Sequence, residues 1–183
     1  MKLLKMEKAY GGKYLRNYKL TYLNREGKEK VYEVVSRNEL TGPQDLGKKV
    51  SGVSIVAYHE DKMLLLKEFR MGINKAVYNL CAGFIEEGES LEECVVRESY
   101  EETGLQFKRI IDVLNPSYGA VAISDIRTNI VFAEAEGTFE DHTSANEEIT
   151  AAFYTKDEVK HLLQTEEFSS RAQMAAYYFT KLP

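Results

Sequence analysis

Residues 13–37 contain two runs rich in Tyr, Val and Leu, separated by a polar segment. The runs read KYLRNYKLTYLN and EKVYEVVSR, and the REGK between them supplies a glycine-containing turn, so the pattern predicts a β-hairpin. Residues 38–50, NELTGPQDLGKKV, carry glycine and proline among polar side chains and predict a linker. We therefore expect residues 1–50 to form an N-terminal β subdomain with its linker.

From residue 51 onward, short apolar runs alternate with polar turns. Six runs predict strands, namely VSIVAYH, MLLLKEF, VYNLCAG, IIDVL, NIVFAEAE and ITAAFYT. The end of the chain, KDEVKHLLQ followed by SSRAQMAAYYFTKL, has the periodicity of two helices, and Ser169 or Ser170 could cap the second. Strands mixed with helices predict an α/β or α+β sandwich over residues 51–183.

Residues 83–105, GFIEEGESLEECVVRESYEETGL, contain one more helix. Ser90 followed by Glu93 is an S-x-x-E capping box, which predicts that the helix begins there, and Gly104 predicts that it ends near Thr103. At 100° per residue, an apolar stripe on this helix runs into a set of carboxylates. The stripe consists of Leu91, Cys94 and Val95, followed by Glu98, Glu101 and Glu102.

Carboxylates at the end of a buried stripe repel one another and lose hydration unless a cation compensates them. Mg²⁺, with Mn²⁺ as an alternative, prefers oxygen ligands of this kind. The other interpretation is a solvated acidic helix face, which is what most Glu-rich stretches are. Because the apolar stripe leads directly into Glu98 and Glu102, the metal site is the better interpretation.

Arg97 also has two interpretations. It lies four residues after Glu93 and four before Glu101, so it could form two ion pairs on the helix surface. Alternatively, it could fix Glu89 in the preceding loop and thereby set the shape of the site.

Composition narrows the class of function. The 183 residues are 44% hydrophobic and carry a formal net charge of −5, which predicts a globular chain and argues against non-specific binding to nucleic acid or anionic membranes. No apolar run approaches the roughly 20 residues of a membrane helix, and the first residues do not resemble a signal peptide.

Cys81 and Cys94 lack CxxC spacing, so we expect no disulfide framework and a cytoplasmic location. The motifs of zinc proteases, serine hydrolases, P-loop NTPases and dinucleotide-binding folds are absent.

Residues 83–105 resemble the Nudix box, G-x5-E-x7-R-E-U-x-E-E-x-G-U, in which U is apolar. The matching residues are Gly83, Glu89, Arg97, Glu98, Glu101, Glu102, Gly104 and Leu105. Ser99 stands where an apolar residue is usual, and is the one departure inside the box. The resemblance implies a Nudix α/β/α sandwich with a mixed sheet, together with the small N-terminal antiparallel hairpin subdomain.

Segments outside the box resemble the ADP-ribose pyrophosphatase branch of the Nudix superfamily. There the box follows a strand ending in E-[LF]-P-A-G, preceded by Q-[YF]-R; this chain has YNLCAG and KEFR, with Asn79 and Cys81 replacing Glu and Pro. The segment GKYLRNYKLTYLNREGKEKVYEVVSR resembles the branch's extra subdomain, and NEEITAAFYTKDEV resembles a segment that follows the box. In that branch the hairpin is exchanged across a dimer, which implies a homodimer here.

The resemblance implies roles for the matching residues. Those that would hold Mg²⁺ are Glu98, Glu101, Glu102 and the carbonyl of Ala82. Arg97 would shape the site, and a later carboxylate, Glu147 or its neighbour Glu148, would assist the metal or water. Those that would contact the substrate are Tyr14, Tyr32, Glu33, Arg37 and Arg70.

Tyr14 and Tyr32 stand where the branch has two tryptophans that stack adenine, and this chain has no Trp. Tyrosine can also stack, although more weakly; the alternative is that both are ordinary aromatic strand residues. Arg37 and Arg70 match arginines that face phosphate and ribose, and their alternative is surface solvation.

The implied activity is Mg²⁺-dependent hydrolysis of the pyrophosphate bond of a nucleoside diphosphate sugar, most simply ADP-ribose to AMP and ribose 5-phosphate. A bound cation would offset the diphosphate charge that an acidic protein otherwise repels, and would acidify a bound water. Two alternatives are another nucleotide sugar such as GDP-mannose, and a catalytically silent Nudix domain that senses a ligand. We expect no nucleic-acid or membrane partner.

Overall fold

The computed structural model describes residues 1–182. The chain divides into two compact units, one made of Met1–Ser51 and Pro116–Thr128, the other of Gly52–Asn115 and the chain from Asn129 onward. None of the helices among the described residues is long and apolar enough to span a membrane.

The smaller unit is built on a three-stranded antiparallel sheet in the order β1-β2-β3. Its strands are β1 (Lys2–Gly11), β2 (Arg16–Leu23) and β3 (Glu29–Ser36). Strands β2 and β3 form the predicted hairpin, and Asn24 Oδ1 accepts the backbone N–H groups of Glu26 and Lys28 at 2.9 Å in its turn. Strand β1 is an addition that the sequence analysis did not predict.

A small core lies on one face of this sheet, formed by Tyr18, Leu20, Val34 and Leu40. The predicted linker contributes to it, because the Leu40 N–H donates to the Tyr18 hydroxyl at 2.8 Å. A short 3₁₀ turn at Pro43–Asp45 follows. In the second piece of this unit, β9 (Ser117–Tyr118) pairs with the first residues of β10 (Arg127–Glu136).

The larger unit is a mixed sheet covered by helices on both faces. The strand order is β11-β5-β4-β10-β8, with β6 pairing with β5 and β7 pairing with β4. The remaining strands are β4 (Val50–His59), β5 (Lys62–Arg70), β6 (Lys75–Asn79), β7 (Cys81–Phe84), β8 (Gln106–Val113) and β11 (Ile149–Tyr154). The helices are α1 (Leu91–Thr103), α2 (Lys156–Thr165) and α3 (Ser170–Phe179).

Alternate residues of β4 and β5 point to opposite faces of the sheet, as the two-residue period of a strand requires. Leu64 and Leu66 pack in a core with Cys94 and Val95 of α1. The intervening residues Met63 and Leu65 pack in a second core with Val159 of α2 and with Ala172, Ala176 and Phe179 of α3. The predicted α/β/α sandwich is confirmed.

The predicted single strand VYNLCAG is in fact two strands, β6 and β7, that change partners at Leu80. Before Leu80 the chain pairs with β5, and after it the chain pairs with β4. This change of partner places Ala82 opposite Ser54 and Gly83 opposite Val53.

Candidate active site

Two glycines let the backbone of β7 lie against both β4 and α1. A Cβ at Gly52 would lie 2.0 Å from the carbonyl oxygen of Gly83, and a Cβ at Gly83 would lie 1.7 Å from the carboxyl carbon of Glu98. A side chain at Gly52 would clash with backbone, whereas a side chain at Gly83 would displace the Glu98 carboxylate from its place against β7. Gly83 therefore allows a carboxylate of α1 to reach the backbone of β7.

Helix α1 has the predicted boundaries. Ser90 Oγ accepts the Glu93 N–H at 3.2 Å, and Glu93 Oε2 accepts the Ser90 N–H at 2.8 Å, which completes the capping box. Gly104 ends the helix in the left-handed region with φ of 75°. A Cβ there would lie 2.5 Å from the Glu140 backbone nitrogen, so the later loop packs tightly on this helix end.

Arg97 holds the loop before the helix, as the second interpretation of the sequence predicts. Its Nε and Nη2 donate to the two carboxylate oxygens of Glu89 at 2.7 and 2.9 Å. Nη2 also donates to the Phe84 carbonyl at 2.9 Å, and Nη1 donates to Glu98 Oε1 at 2.8 Å and Glu101 Oε2 at 3.0 Å. The guanidinium lowers the pKa of Glu89 to about 2.

Two of the three box carboxylates on α1 lie on its less exposed side. Glu98 has only 13% of its side chain exposed, and Glu102 Oε2 accepts the Ala82 N–H at 3.1 Å. Burial raises the pKa of both, that of Glu102 to about 8, with Glu98 and Glu68 as further negative charges near it. For both carboxylates, the loss of hydration therefore outweighs the stabilisation of the charged form by neighbouring hydrogen-bond donors and by Arg97.

The expectation that Glu101 continues the buried stripe is wrong. Its side chain is 52% exposed, and the buried positions around it are Ser99 and Thr103. One residue turns the helix by 100°, so Glu101 lies well away from the direction of Glu102. Glu101 contacts Arg97 from the solvent side.

The departure at Ser99 has a local explanation. Ser99 is buried, and its Oγ lies 3.7 Å from Sγ of Cys81, the residue that replaces the usual proline. The two side chains that depart from the family pattern, one on α1 and one on β7, therefore form a hydrogen bond with each other. Cys81 and Cys94 are free thiols, and burial raises the pKa of both.

The predicted substrate residue Arg70 lies at the end of β5 in an ion pair with Glu68. Glu68 Oε2 in turn accepts the side-chain amide of Asn79 at 2.8 Å. Sequence reasoning missed Glu68, although its spacing of two from Arg70 on a strand places both on one face.

Glu147 and Glu148 are both exposed and lie in the loop before β11. Ser144 donates its backbone N–H and its hydroxyl to Glu147 Oε2 at 3.1 and 2.9 Å, while the Glu148 carbonyl accepts the Phe69 N–H at 3.0 Å. Both line an open groove with Glu68 and Arg70. The structure thus brings the later carboxylates together with Arg70.

Four predicted substrate residues belong to the smaller unit. Tyr14 is exposed between β1 and β2, and Glu33 lies on β3 opposite Lys19. The Tyr32 hydroxyl, also on β3, donates to the carbonyl of Ala122. Arg37 follows β3, and its carbonyl accepts Nη1 of Arg16 at 2.7 Å. In this unit both tyrosines keep exposed rings.

The carboxylates of Glu98 and Glu102 are oxygen donors of the kind that a hard divalent cation prefers. The Ala82 carbonyl, the third donor that the resemblance implies, belongs to the residue whose N–H donates to Glu102. Within residues 1–182, however, no three His, Cys, Asp or Glu side chains are already grouped to bind a metal ion. Arg97 supplies positive charge to Glu98 and Glu101 instead. The raised pKa values of Glu98 and Glu102 indicate that the buried carboxylates would gain from a further cation.

Comparison with known families agrees with this geometry, since the family model described as NUDIX domain matches residues 48–177. The chain belongs to the Nudix family. The matched range contains the whole box, from Gly83 on β7 to Leu105 after α1.

Individual relatives of this Nudix chain have several activities by name. It is 36% identical over 98 residues to ADP-sugar pyrophosphatase of Mus musculus, covering 51% of this chain and 43% of the relative. It is 44% identical over 62 residues to NAD-capped RNA hydrolase NudC of Photobacterium profundum, covering 34% of this chain and 23% of the relative. The chain therefore spans less than half the length of these curated relatives.

A solved structure matches nearly the whole chain. It is the crystal structure of an ADP compounds hydrolase, with a TM-score of 0.76 and 20% identity, covering 98% of this chain and 91% of that one. This match confirms the fold of the Nudix chain over nearly its whole length.

Proposed function

We propose that this Nudix chain hydrolyses the pyrophosphate bond of a nucleoside diphosphate sugar, with ADP-ribose as the preferred substrate. The products would be AMP and ribose 5-phosphate: a water oxygen bonds to one phosphorus, and the bond from that phosphorus to the bridging oxygen breaks. The observation that carries the proposal is the contact between α1 and β7, where two partly buried carboxylates reach the backbone of Ala82 and Gly83.

Glu98, Glu102 and the Ala82 carbonyl would hold Mg²⁺, with Glu101 as the more exposed fourth donor. When bound, the cation would neutralise diphosphate charge and lower the pKa of a bound water. The name of the mouse relative, ADP-sugar pyrophosphatase, supports this substrate class.

The chain's own side chains would bind and orient the substrate. Arg70 has donors left for phosphate oxygens, because Glu68 contacts only Nη1 of its guanidinium. Arg97 would keep Glu89 and the loop before α1 fixed. Glu147 or Glu148, which line the same groove as Arg70, would accept a proton from the attacking water. Tyr14 and Tyr32 would stack the adenine, and Glu33 and Arg37 would contact the rest of the nucleotide.

The direct test is product analysis after incubation with ADP-ribose and Mg²⁺, beside a panel of GDP-mannose, UDP-glucose and NADH. We expect AMP and ribose 5-phosphate, and the highest kcat/KM for ADP-ribose. A kcat/KM at least tenfold higher for another nucleotide sugar would overturn the ADP-ribose assignment and leave the hydrolase class. Binding of ADP-ribose without turnover of any panel member would instead identify a ligand sensor.

A second candidate substrate class is the dinucleotides. The 44% identity to NAD-capped RNA hydrolase NudC favours it, although that match covers only 34% of this chain. The rate of NADH hydrolysis in the panel distinguishes dinucleotides from nucleoside diphosphate sugars as substrates, since cleavage of NADH releases AMP and reduced nicotinamide mononucleotide.

A further inference from the structure

Three polar side chains share one face at the edge of the larger unit's sheet. Leu66, Glu68 and Arg70 alternate along β5, and Asn79 of β6 pairs with Leu66. Because Leu66 packs in the core under α1, Glu68 and Arg70 continue that same face beyond the core. Asn79 lies diagonally from Glu68, within reach of a side-chain hydrogen bond.

Glu68 and Asn79 occupy the positions of Gln and Glu in the segments Q-[YF]-R and E-[LF]-P-A-G. The amide and the carboxylate have therefore exchanged strands in this chain. The hydrogen bond between the two positions is present, since Asn79 Nδ2 donates to Glu68 Oε2 at 2.8 Å. Compared with those segments, the negative charge in this chain lies on β5, two residues from Arg70, rather than on β6.

The exchange gives Arg70 a partner that is itself held in place. Only 13% of the Glu68 side chain is exposed, whereas 56% of Arg70 is exposed. Asn79 Oδ1 accepts the hydroxyl of Ser169 at 2.6 Å, and Ser169 caps α3. A chain of contacts thus runs from the end of a helix through Asn79 and Glu68 to the guanidinium of Arg70.

We propose that Glu68 and Asn79 are positioning residues that preorganise Arg70 to bind the diphosphate of the substrate. This inference rests on the proposed function, because it assigns Arg70 a phosphate ligand. An arginine that is already ordered loses less side-chain entropy on binding, and Glu68 leaves its other N–H groups free for phosphate oxygens.

Glu68→Gln keeps the size of the side chain and its hydrogen bond to Asn79 but removes the ion pair to Arg70. Without the ion pair, the substrate must order the Arg70 side chain when it binds, and this ordering reduces the free energy of binding. We therefore expect KM for ADP-ribose to rise roughly three- to tenfold, with kcat changed less than about twofold. The double variant Glu68→Gln with Asn79→Glu returns the carboxylate to β6. It should keep the thermal stability of the wild type yet show the same rise in KM.

The decisive measurement repeats Glu68→Gln in an Arg70→Ala background. If Glu68 acts through Arg70, the substitution has no further effect on KM there. All kinetics use saturating Mg²⁺, and calorimetry with the methylene-bridged analogue of ADP-ribose measures binding without turnover. Glu167→Gln is the matched control, because it removes an exposed ion pair with Lys75 of the same β6 strand and should change nothing.

Several results would overturn the proposal. An unchanged or lowered KM in Glu68→Gln would show that the ion pair does not help Arg70. An equal rise in KM with and without Arg70 would show that Glu68 does not act through Arg70. If the wild type binds the analogue but cleaves no substrate, the proposed function fails, and calorimetry of the same variants still decides the positioning role. If the wild type neither binds nor cleaves, both fail.

Discussion

Glu98 and Glu102 illustrate how one helix can carry both a core and a reactive edge. The residues before them on the buried face of α1, Cys94 and Val95, are fully buried and apolar. One and two turns later the same side presents carboxylates whose burial raises their pKa. A cation in this position would relieve that cost, which is why activity should depend on these two oxygen donors more than on other glutamates of the box.

We predict that Glu98→Gln retains the fold but loses roughly a hundredfold or more in kcat with ADP-ribose and Mg²⁺, because it removes one anionic oxygen from the proposed cation site. Steady-state kinetics with circular dichroism as the folding check would measure this. Glu92→Gln, an exposed glutamate of the same helix, is the control and should retain full activity. Full Mg²⁺-dependent activity in Glu98→Gln would show that the site is assigned to the wrong residues.

A second residue-scale prediction concerns acid stability. The Arg97 guanidinium lowers the pKa of Glu89 from 4.5 to about 2, so Glu89 contributes stability above pH 4.5 that is lost as the pH falls toward 2. In that interval the unfolded chain binds a proton that the folded chain does not. The difference in unfolding free energy between wild type and Glu89→Gln should therefore be constant at neutral pH and shrink as the pH falls from 4.5.

Urea unfolding at a series of pH values would measure that difference. Glu87→Gln, an exposed residue of the same loop, controls for the loss of one negative charge. A difference that stays the same from neutral pH down to about pH 2 would contradict the role of the Arg97–Glu89 pair.

At the scale of elements, α1 is the element that the sequence predicts best, because its signals are local. The Ser90 capping box and the left-handed Gly104 both lie within the predicted segment, and each acts through contacts a few residues away. The contact of Arg97 with Glu89 is also local, eight residues apart along the chain. The predicted burial of Glu101 was wrong, because steps of three and four residues along a helix define a stripe that is wider than the buried face of α1.

Strands were harder to predict where long-range pairing decides their limits. Strand β1 pairs with β2 through two register shifts, between Leu3 and Lys5 and between Lys8 and Tyr10, which interrupt the alternation of its side chains. The division of VYNLCAG at Leu80 depends on which neighbour each half pairs with. Local sequence carries neither kind of information, and the same limit hid the pairing of Glu68 with Asn79 across two strands.

At the scale of the whole molecule, the net charge of −5 is unfavourable for an anionic substrate. The proposed site must therefore supply positive charge locally, through Arg70 and a bound cation. This local supply of positive charge would let an acidic chain, whose net charge disfavours the binding of long polyanions, bind a small diphosphate.

At the level of assembly, we predict a homodimer whose interface includes the 13–37 hairpin. The smaller unit exposes apolar side chains, with Val31 on β3 51% exposed and Val121 75% exposed, and a small unit gains stability by covering them. Light scattering at micromolar concentration should give twice the chain mass, and Val31→Lys in the hairpin should shift the population toward monomer because the interface would then bury a charge. Glu26→Lys, in the exposed hairpin turn, changes charge without touching an apolar side chain and should leave the dimer intact. A wild-type chain that is monomeric at this concentration would contradict the exchanged hairpin.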